Sequence, residues 1–170
     1  TDSGVHARRQ VVHIDLGDEA IGKLIGQSNR SAEAALLSRL RGVLIAGEFH
    51  DIVVHAVAEV PEDFDARFSA LWRSYQYRLA DHRSFIDPLL TQVTPRHKGE
   101  LDAEAMAEAA SEVQGLHDFL PFCKPREGAT TIRTLYELHV ARDHDAVITI
   151  DLRADAFCHH MVRALVGGLI

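Results

Sequence analysis

The apolar positions of the chain fall into two periods, and the change from one to the other marks out its elements. Val12, Ile14 and Leu16 share one parity while His13 and Asp15 take the other, which predicts a half-buried strand. A loop punctuated by Gly17, Gly22 and Gly26 follows. From Ser31, a capping residue type, Ala32, Leu36, Leu40, Val43 and Leu44 recur at helical spacing, with Glu33 near the positive end. This predicts a helix that packs on a sheet and ends near Gly47. The β-branched run Ile52 to Ala58 predicts a central strand, which Pro61 breaks. Phe64 to Leu79 reads as a turn feeding a long strand, on which Arg73, Tyr75 and Tyr77 share one face.

Asp87-Pro88 and Thr94-Pro95 punctuate a connecting loop. Asp102 is then a helix N-cap, Leu101 and Met106 occupy staple positions, and Ala105, Ala109, Ala110 and Val113 carry the helix to a stop at Gly115. Phe119, Pro121 and Phe122 anchor the next loop, whose Lys124-Pro125-Arg126-Glu127-Gly128 is polar and basic enough to touch a phosphate backbone. Thr131 to Ala141 and Ala146 to Arg153, separated by Asp143-His144-Asp145, have the spacing of an antiparallel hairpin. From Ala156 to Gly167 the pattern turns helical, with Phe157, Met161 and Leu165 near one face and His159 and Arg163 one turn apart on another. The elements together predict an α+β fold of mixed or antiparallel sheets flanked by helices. They group as an N-terminal α+β subdomain, residues 1–85, and a C-terminal one, residues 86–170.

Composition narrows the class. At 170 residues and 46% apolar, the chain has enough material for a buried core. Its Cys123 and Cys158 are far apart in sequence and form no Cys-x-x-Cys pair, so neither a disulfide framework nor a thiolate metal site is expected. No apolar run approaches the roughly 20 residues that cross a bilayer, and no basic-then-apolar leader opens the chain, so a reducing cytoplasm is the expected setting. The opening lacks Met and begins inside a turn, and the last residues break off within a helical pattern, which reads as a fragment truncated at both ends.

Charge argues against a strongly electrostatic partner overall. With 18 Lys and Arg against 25 Asp and Glu, the net is −7, the wrong sign for general phosphate affinity. Any nucleic-acid binding would rest on local clusters such as Arg67 with Arg73, or Lys124 with Arg126.

Candidate chemistry begins with Thr1-Asp2-Ser3-Gly4-Val5-His6-Ala7, where a carboxylate sits in a Gly-containing bend just before a strand. Alone, such an Asp is more commonly a turn residue. At the other end, an Arg in an apolar helix is costly to bury without an acid to match its fork, so Arg163 points to a carboxylate elsewhere, and Asp2 is a candidate. The face of Tyr75 and Tyr77 could stack bases, although strand tyrosines more often pack in cores. His159 and His160 are adjacent and point different ways, with no ligand spacing nearby, so packing or hydrogen-bonding roles are preferred to a metal site. No Gly-x-Ser-x-Gly elbow, Walker loop or Gly-x-Gly-x-x-Gly loop occurs, which leaves nucleotide cofactors without support.

These pieces resemble one family, the bacterial tRNA pseudouridine synthase A enzymes. The resemblance runs in family order through Thr1 to Ala7 with Gln10-Val11-Val12-His13, Phe64 to Ala70 with Tyr75-x-Tyr77, and His117-Asp118-Phe119. It ends with Ala154-Asp155-Ala156-Phe157-x-His159-His160-Met161-Val162-Arg163 and Val166-Gly167. Ser3 departs from the usual Ala, the family's Arg before Thr1 is absent, and Gln27 to His50 matches poorly. The resemblance implies a pseudouridine synthase-like fold and a cofactor-free homodimer that isomerises uridine to pseudouridine on the 3′ side of the tRNA anticodon stem-loop; no metal is expected, from the histidine spacing above. It implies Asp2 as nucleophile, Tyr75 stacking on the target base, and Arg163 pairing with the catalytic carboxylate. Arg67, Arg73, His160, Lys124 and Arg126 are the further RNA-contact candidates. The alternative expectation is an RNA-binding fragment that lacks catalysis.

Overall fold

The structure, a computed structural model, describes residues 4–27, 29–124 and 126–170. Contacts divide the chain into two units, one of residues 9–69 and one that joins residues 1–8 to residues 70–170.

The first unit holds two helices. The helix α1 spans Asp18–Ile25, where a loop is expected from the three glycines; Asp18 and Glu19 at its start, Lys23 near its end, and a Lys23–Glu19 ion pair of 2.6 Å favour it despite Gly22. The helix α2, Ala32–Ala46, begins as expected at Ser31, whose hydroxyl accepts the Ala34 N–H at 3.3 Å. The expected strands at residues 11–16 and 52–58 do not form ladders among the described residues, since a strand exists only where a second strand takes up its N–H and C=O groups. Val12 is 75% and Val53 68% exposed accordingly. Side chains take up part of the load: Arg41 donates from Nε and Nη2 to the Val54 carbonyl at 3.1 and 3.0 Å, and His13 Nδ1 accepts the Ala66 N–H at 3.0 Å.

The second unit is built on an antiparallel sheet of order β1-β4-β3-β2, formed by β1 Arg73–Leu79, β2 Gly115–Asp118, β3 Ile132–Arg142 and β4 Ile148–Ala154. The antiparallel α+β expectation is met here, and the expected hairpin is β3–β4. β2 begins at Gly115, which was expected only as a helix stop; its φ of +106° suits glycine at the change of direction. The helix α3, Ala103–Glu112, packs on β3, and α4, Met161–Leu169, packs on α3 and on a 3₁₀ turn, Leu120–Phe122. Leu135, Ile148, Ile150, Leu152, Met161 and Phe119 fill the core, each at 2% exposure or less. Burial of each such side chain stabilises by roughly 1.5–3 kcal/mol.

Two details set the geometry. The β3–β4 register slips between Leu135 and Glu137, and the extra residue lets Leu135 and Leu138 both face the core although their spacing is odd. The Asp102 carboxylate caps α3 by accepting the N–H groups of Glu104 and Ala105, both at 3.0 Å. Asp102→Ala is expected to destabilise by about 1 kcal/mol, seen as a lower midpoint in denaturant unfolding with an unchanged slope.

A buried ionic cluster ties the far edge of this unit together. Asp81 is 1% exposed and meets Arg142 through Oδ2–Nη2 at 2.6 Å and Oδ1–Nη1 at 3.2 Å. Its carboxylate also accepts the N–H groups of Leu101 at 3.1 Å and Arg83 at 3.0 Å. Arg142 donates further to the carbonyls of Leu101 and Ala146, both at 2.7 Å, so the pair fastens the segment after β1, the entry to α3 and the β3–β4 turn. Arg78 and Asp143 add a second pair at 3.0 Å beside it.

Candidate active site

The site is assembled where β1, the end of β4 and the start of α4 meet. β1 presents Tyr75 opposite Leu152, and alternation turns Tyr75 and Tyr77 toward the core while Ser74 and Gln76 face out. The Tyr75 ring is half-buried and meets Phe157 edge-on, with centroids 5.0 Å apart and planes at 90°. This contact fixes the ring orientation by the ordinary quadrupole preference of aromatic pairs. Packing is therefore one role of Tyr75, and its half-exposed remainder is what could meet a base. Phe157 escaped notice as a site residue because its spacing put it on a helix.

That helix is shorter than expected. Residues 155–160 are not helical, and α4 starts at Met161 after His160, which takes the left-handed conformation at φ 68°. The expected helical spacing of His159 and Arg163 is thus not realised; their relation is that of a lead-in residue to the first turn. The lead-in is held by Asp155, whose carboxylate accepts the Thr134 N–H at 3.0 Å and the Ala156 N–H at 2.5 Å. These bonds stop the helix from extending back, because they commit the side chain and backbone of the lead-in to β3 instead. The rings of His159 and His160 lie 4.0 Å apart, tilted by 40°.

Arg163 projects from the first turn of α4 and is exposed. Burial therefore does not compel an acid partner, which corrects the reason for which one was expected. Its position is nonetheless informative. Gly4 stands at φ +77°, and a Cβ built on it would lie 3.8 Å from Arg163 Nη2, so the backbone at Gly4 lies close to this guanidinium. Asp2, the expected nucleophile, lies outside the described residues, two positions before Gly4.

The basic loop is tied to the same place. The Lys124 N–H donates to the His159 carbonyl at 2.9 Å, so Lys124 and His160 lie on adjoining segments. Arg126 is exposed in the following turn, closed by the Ala129 N–H on the Arg126 carbonyl at 3.2 Å; Pro125 is outside the described residues. Cys123 and Cys158, not expected to pair, are joined as a disulfide with Cα atoms 5.6 Å apart. Their 35-residue separation in sequence carried no information about distance, because the 3₁₀ turn and the lead-in to α4 fold onto each other.

Of the remaining candidates, Arg73 is half-buried at the start of β1, paired in register with Ala154. Arg67 belongs to the other unit, exposed in a turn where the Asp65 carboxylate accepts the N–H groups of Arg67 at 2.7 Å and Phe68 at 2.9 Å. These bonds lower the Asp65 pKa, and the Arg67 guanidinium lies 5.2 Å from the centre of the Phe68 ring. Asp143, His144 and Asp145 each place a possible ligand atom within 4.8 Å of the others. The Asp143 carboxylate is already occupied by Arg78 and by the N–H groups of Asp145 and Val147, which explains the cluster as a hairpin turn. Among the described residues no helix is long and apolar enough to cross a membrane.

Comparison with known proteins gives one consistent result. A family model described as tRNA pseudouridine synthase matches residues 109–170, which include β2 to α4. The tRNA pseudouridine synthase A of Streptomyces avermitilis is 48% identical over 170 residues, covering 100% of this chain and 55% of the relative. That of Leifsonia xyli is 47% identical over 174 residues, covering 100% of this chain and 60% of the relative. That of Mycobacterium leprae is 40% identical over 173 residues, covering 100% of this chain and 59% of the relative. The chain thus spans little more than half the length of these relatives.

Proposed function

We propose, from the premise that this chain belongs to the tRNA pseudouridine synthase A family, that it carries catalytic machinery for isomerising uridine to pseudouridine in tRNA. The observation that supports the reading is the closeness of Gly4, two positions after Asp2 in sequence, to the guanidinium of Arg163, the cation that the family motif expects beside its acid.

In this reading the Asp2 carboxylate is the nucleophile. Arg163 favours its ionised form, which is the form that attacks. The carboxylate forms a bond to the nucleotide and the N1–C1′ bond breaks; the base turns, C5 bonds to C1′, and the bond to Asp2 breaks to return the free carboxylate. The C5 proton is then lost while N1 takes one up, which gives the C-linked product. A uracil inside a stem cannot be reached, so it leaves the stack at a cost of a few kcal/mol. Stacking on Tyr75, worth about 1–3 kcal/mol, offsets part of that cost. Phe157 is its support, holding the Tyr75 ring across the 5.0 Å contact. Lys124, Arg126, Arg73, Arg67 and His160 position phosphates, which fixes register without reading sequence. With a net charge of −7, affinity depends on these local groups and falls steeply with salt.

The finer assignments are the 3′ side of the anticodon stem-loop as target, a homodimer as the working form, and the cytoplasm as its setting. Carbodiimide modification of tRNA treated with a protein of the relatives' length carrying this chain, followed by reverse transcription, tests the target. Stops are expected on the 3′ side of the anticodon stem-loop. Stops confined to other arms would overturn the regional assignment, and their complete absence would overturn the reaction.

A further inference from the structure

Cys123 and Cys158 sit where two functional segments are fastened to each other. Lys124 and Arg126 follow the first cysteine directly; His159, His160 and Arg163 follow the second. The disulfide joins them across Cα atoms 5.6 Å apart, within the range that a disulfide spans without moving the backbone. Both cysteines are half-buried, so a small thiol reagent can reach them. The surroundings are set to depend on this link. The Cys158 carbonyl accepts the Met161 N–H at 3.1 Å in the entry to α4, and beyond the cysteines a backbone bond from Lys124 to His159, at 2.9 Å, continues the join. On the other side of Cys123, the Phe122 ring lies 3.5 Å from a Cβ built on Gly168, so the preceding turn is anchored by packing against α4. Among the described residues the loop after Cys123 has no comparable apolar anchor: Lys124, Arg126, Glu127, Gly128 and Ala129 are all exposed.

We infer that Cys123 and Cys158 form a redox-modifiable pair, closed by a low-molecular-weight disulfide, that clamps the loop of residues 124–128 to the lead-in of α4 and frees it on reduction. One cysteine thiolate attacks the reagent disulfide, forming a mixed disulfide and releasing one reagent thiolate. The second cysteine thiolate attacks the mixed disulfide at the protein sulfur, forming the Cys123–Cys158 bond and releasing the second reagent thiolate. Two protein thiols are oxidised, one reagent disulfide is reduced to two thiols, and the two protons pass to the departing thiolates. The inference goes beyond the proposed reaction and stands without it.

The test begins with the reduced chain, exposed to oxidised glutathione, alkylated and weighed intact. Both cysteines are expected to become protected together, with no retained glutathione, and peptide mapping should join the Cys123 and Cys158 peptides. Protection of one cysteine alone, or two stable glutathione adducts, would overturn the pair. The clamp is read separately by limited trypsin cleavage after Arg126. Cleavage is expected to be about tenfold slower in the oxidised form than in the reduced form, since closure removes open conformations of the loop. In Cys123→Ser and Cys158→Ser the difference between oxidising and reducing conditions should vanish. Equal cleavage of the oxidised and reduced wild-type chain would overturn the clamp, whatever the variants do.

Discussion

Asp2→Ala is expected to lower pseudouridine formation by about a thousandfold or more, because in the proposed mechanism Asp2 is the nucleophile and its removal abolishes the covalent route rather than weakening it. Asp2→Asn should do nearly the same despite its matching shape, since an amide lacks the attacking oxygen anion. Binding should respond in the opposite sense or not at all. Affinity for an RNA backbone comes from Lys and Arg on phosphates, and deleting the acid proposed to pair with Arg163 removes a competitor for that cation. Single-turnover conversion and a filter-binding titration, both on a protein of the relatives' length carrying this chain, separate the two effects. A variant that converts at the wild-type rate would remove Asp2 from the reaction; a variant that no longer binds would assign it to recognition.

Asp81→Asn is expected to carry the largest cost in stability, about 3–5 kcal/mol, through the Arg142 guanidinium that it leaves without its counter-charge. The geometry explains the size: Arg142 has a 2.6 Å contact to Asp81, and the side chains are 17% and 0% exposed. Urea unfolding should show a lower midpoint with little change in slope. The same pair predicts a pH dependence. The hydrogen bond from Arg142, helped by the N–H groups of Leu101 and Arg83, holds the Asp81 carboxyl well below the usual carboxylate range. A depressed folded value means that the stabilisation is fully present above the unfolded value of about 4 and is lost as pH falls below it toward the folded value. Wild-type stability should therefore drop more steeply than that of Asp81→Asn over this acid range. Parallel curves would show that the carboxylate is not the stabilising partner.

Much of the second unit could be read from residue patterns because its determinants are local. Asp102 caps α3 as its type predicts, and the Thr131–Arg153 stretch forms its hairpin because alternation and turn chemistry are both encoded within a few residues. In α1, the turn-forming glycines concealed a helix that charge placement at its two ends sustains. The strand pattern at residues 11–16 is present but its ladder is not, since pairing depends on another segment and not on the run itself.

The sequence singles out Tyr75 and Arg163 as candidates for the site, while the spatial relations around them are not legible in it. Arg163 was singled out on the expectation of burial and turns out exposed; what the structure adds is the approach of Gly4 to it, a long-range proximity that no local pattern announces. Asp155 and Phe157 stand within the motif, but the contact of Phe157 with Tyr75 was hidden by a helical spacing that continues before Met161 although the backbone does not. Cys123 with Cys158, and Asp81 with Arg142, are pairs whose members lie far apart in sequence and meet only when β3, β4 and α4 are in place.

The central claim is that this chain supplies the chemistry of uridine isomerisation and not merely a surface for RNA. It is tested most directly by tritium release from C5-labelled uridine in tRNA, using a protein of the relatives' length that carries this chain, with no cofactor added. The account predicts release that keeps pace with pseudouridine formation, since C5 must lose its hydrogen when it becomes the point of attachment. Saturated tRNA binding with no release above the protein-free background would contradict it.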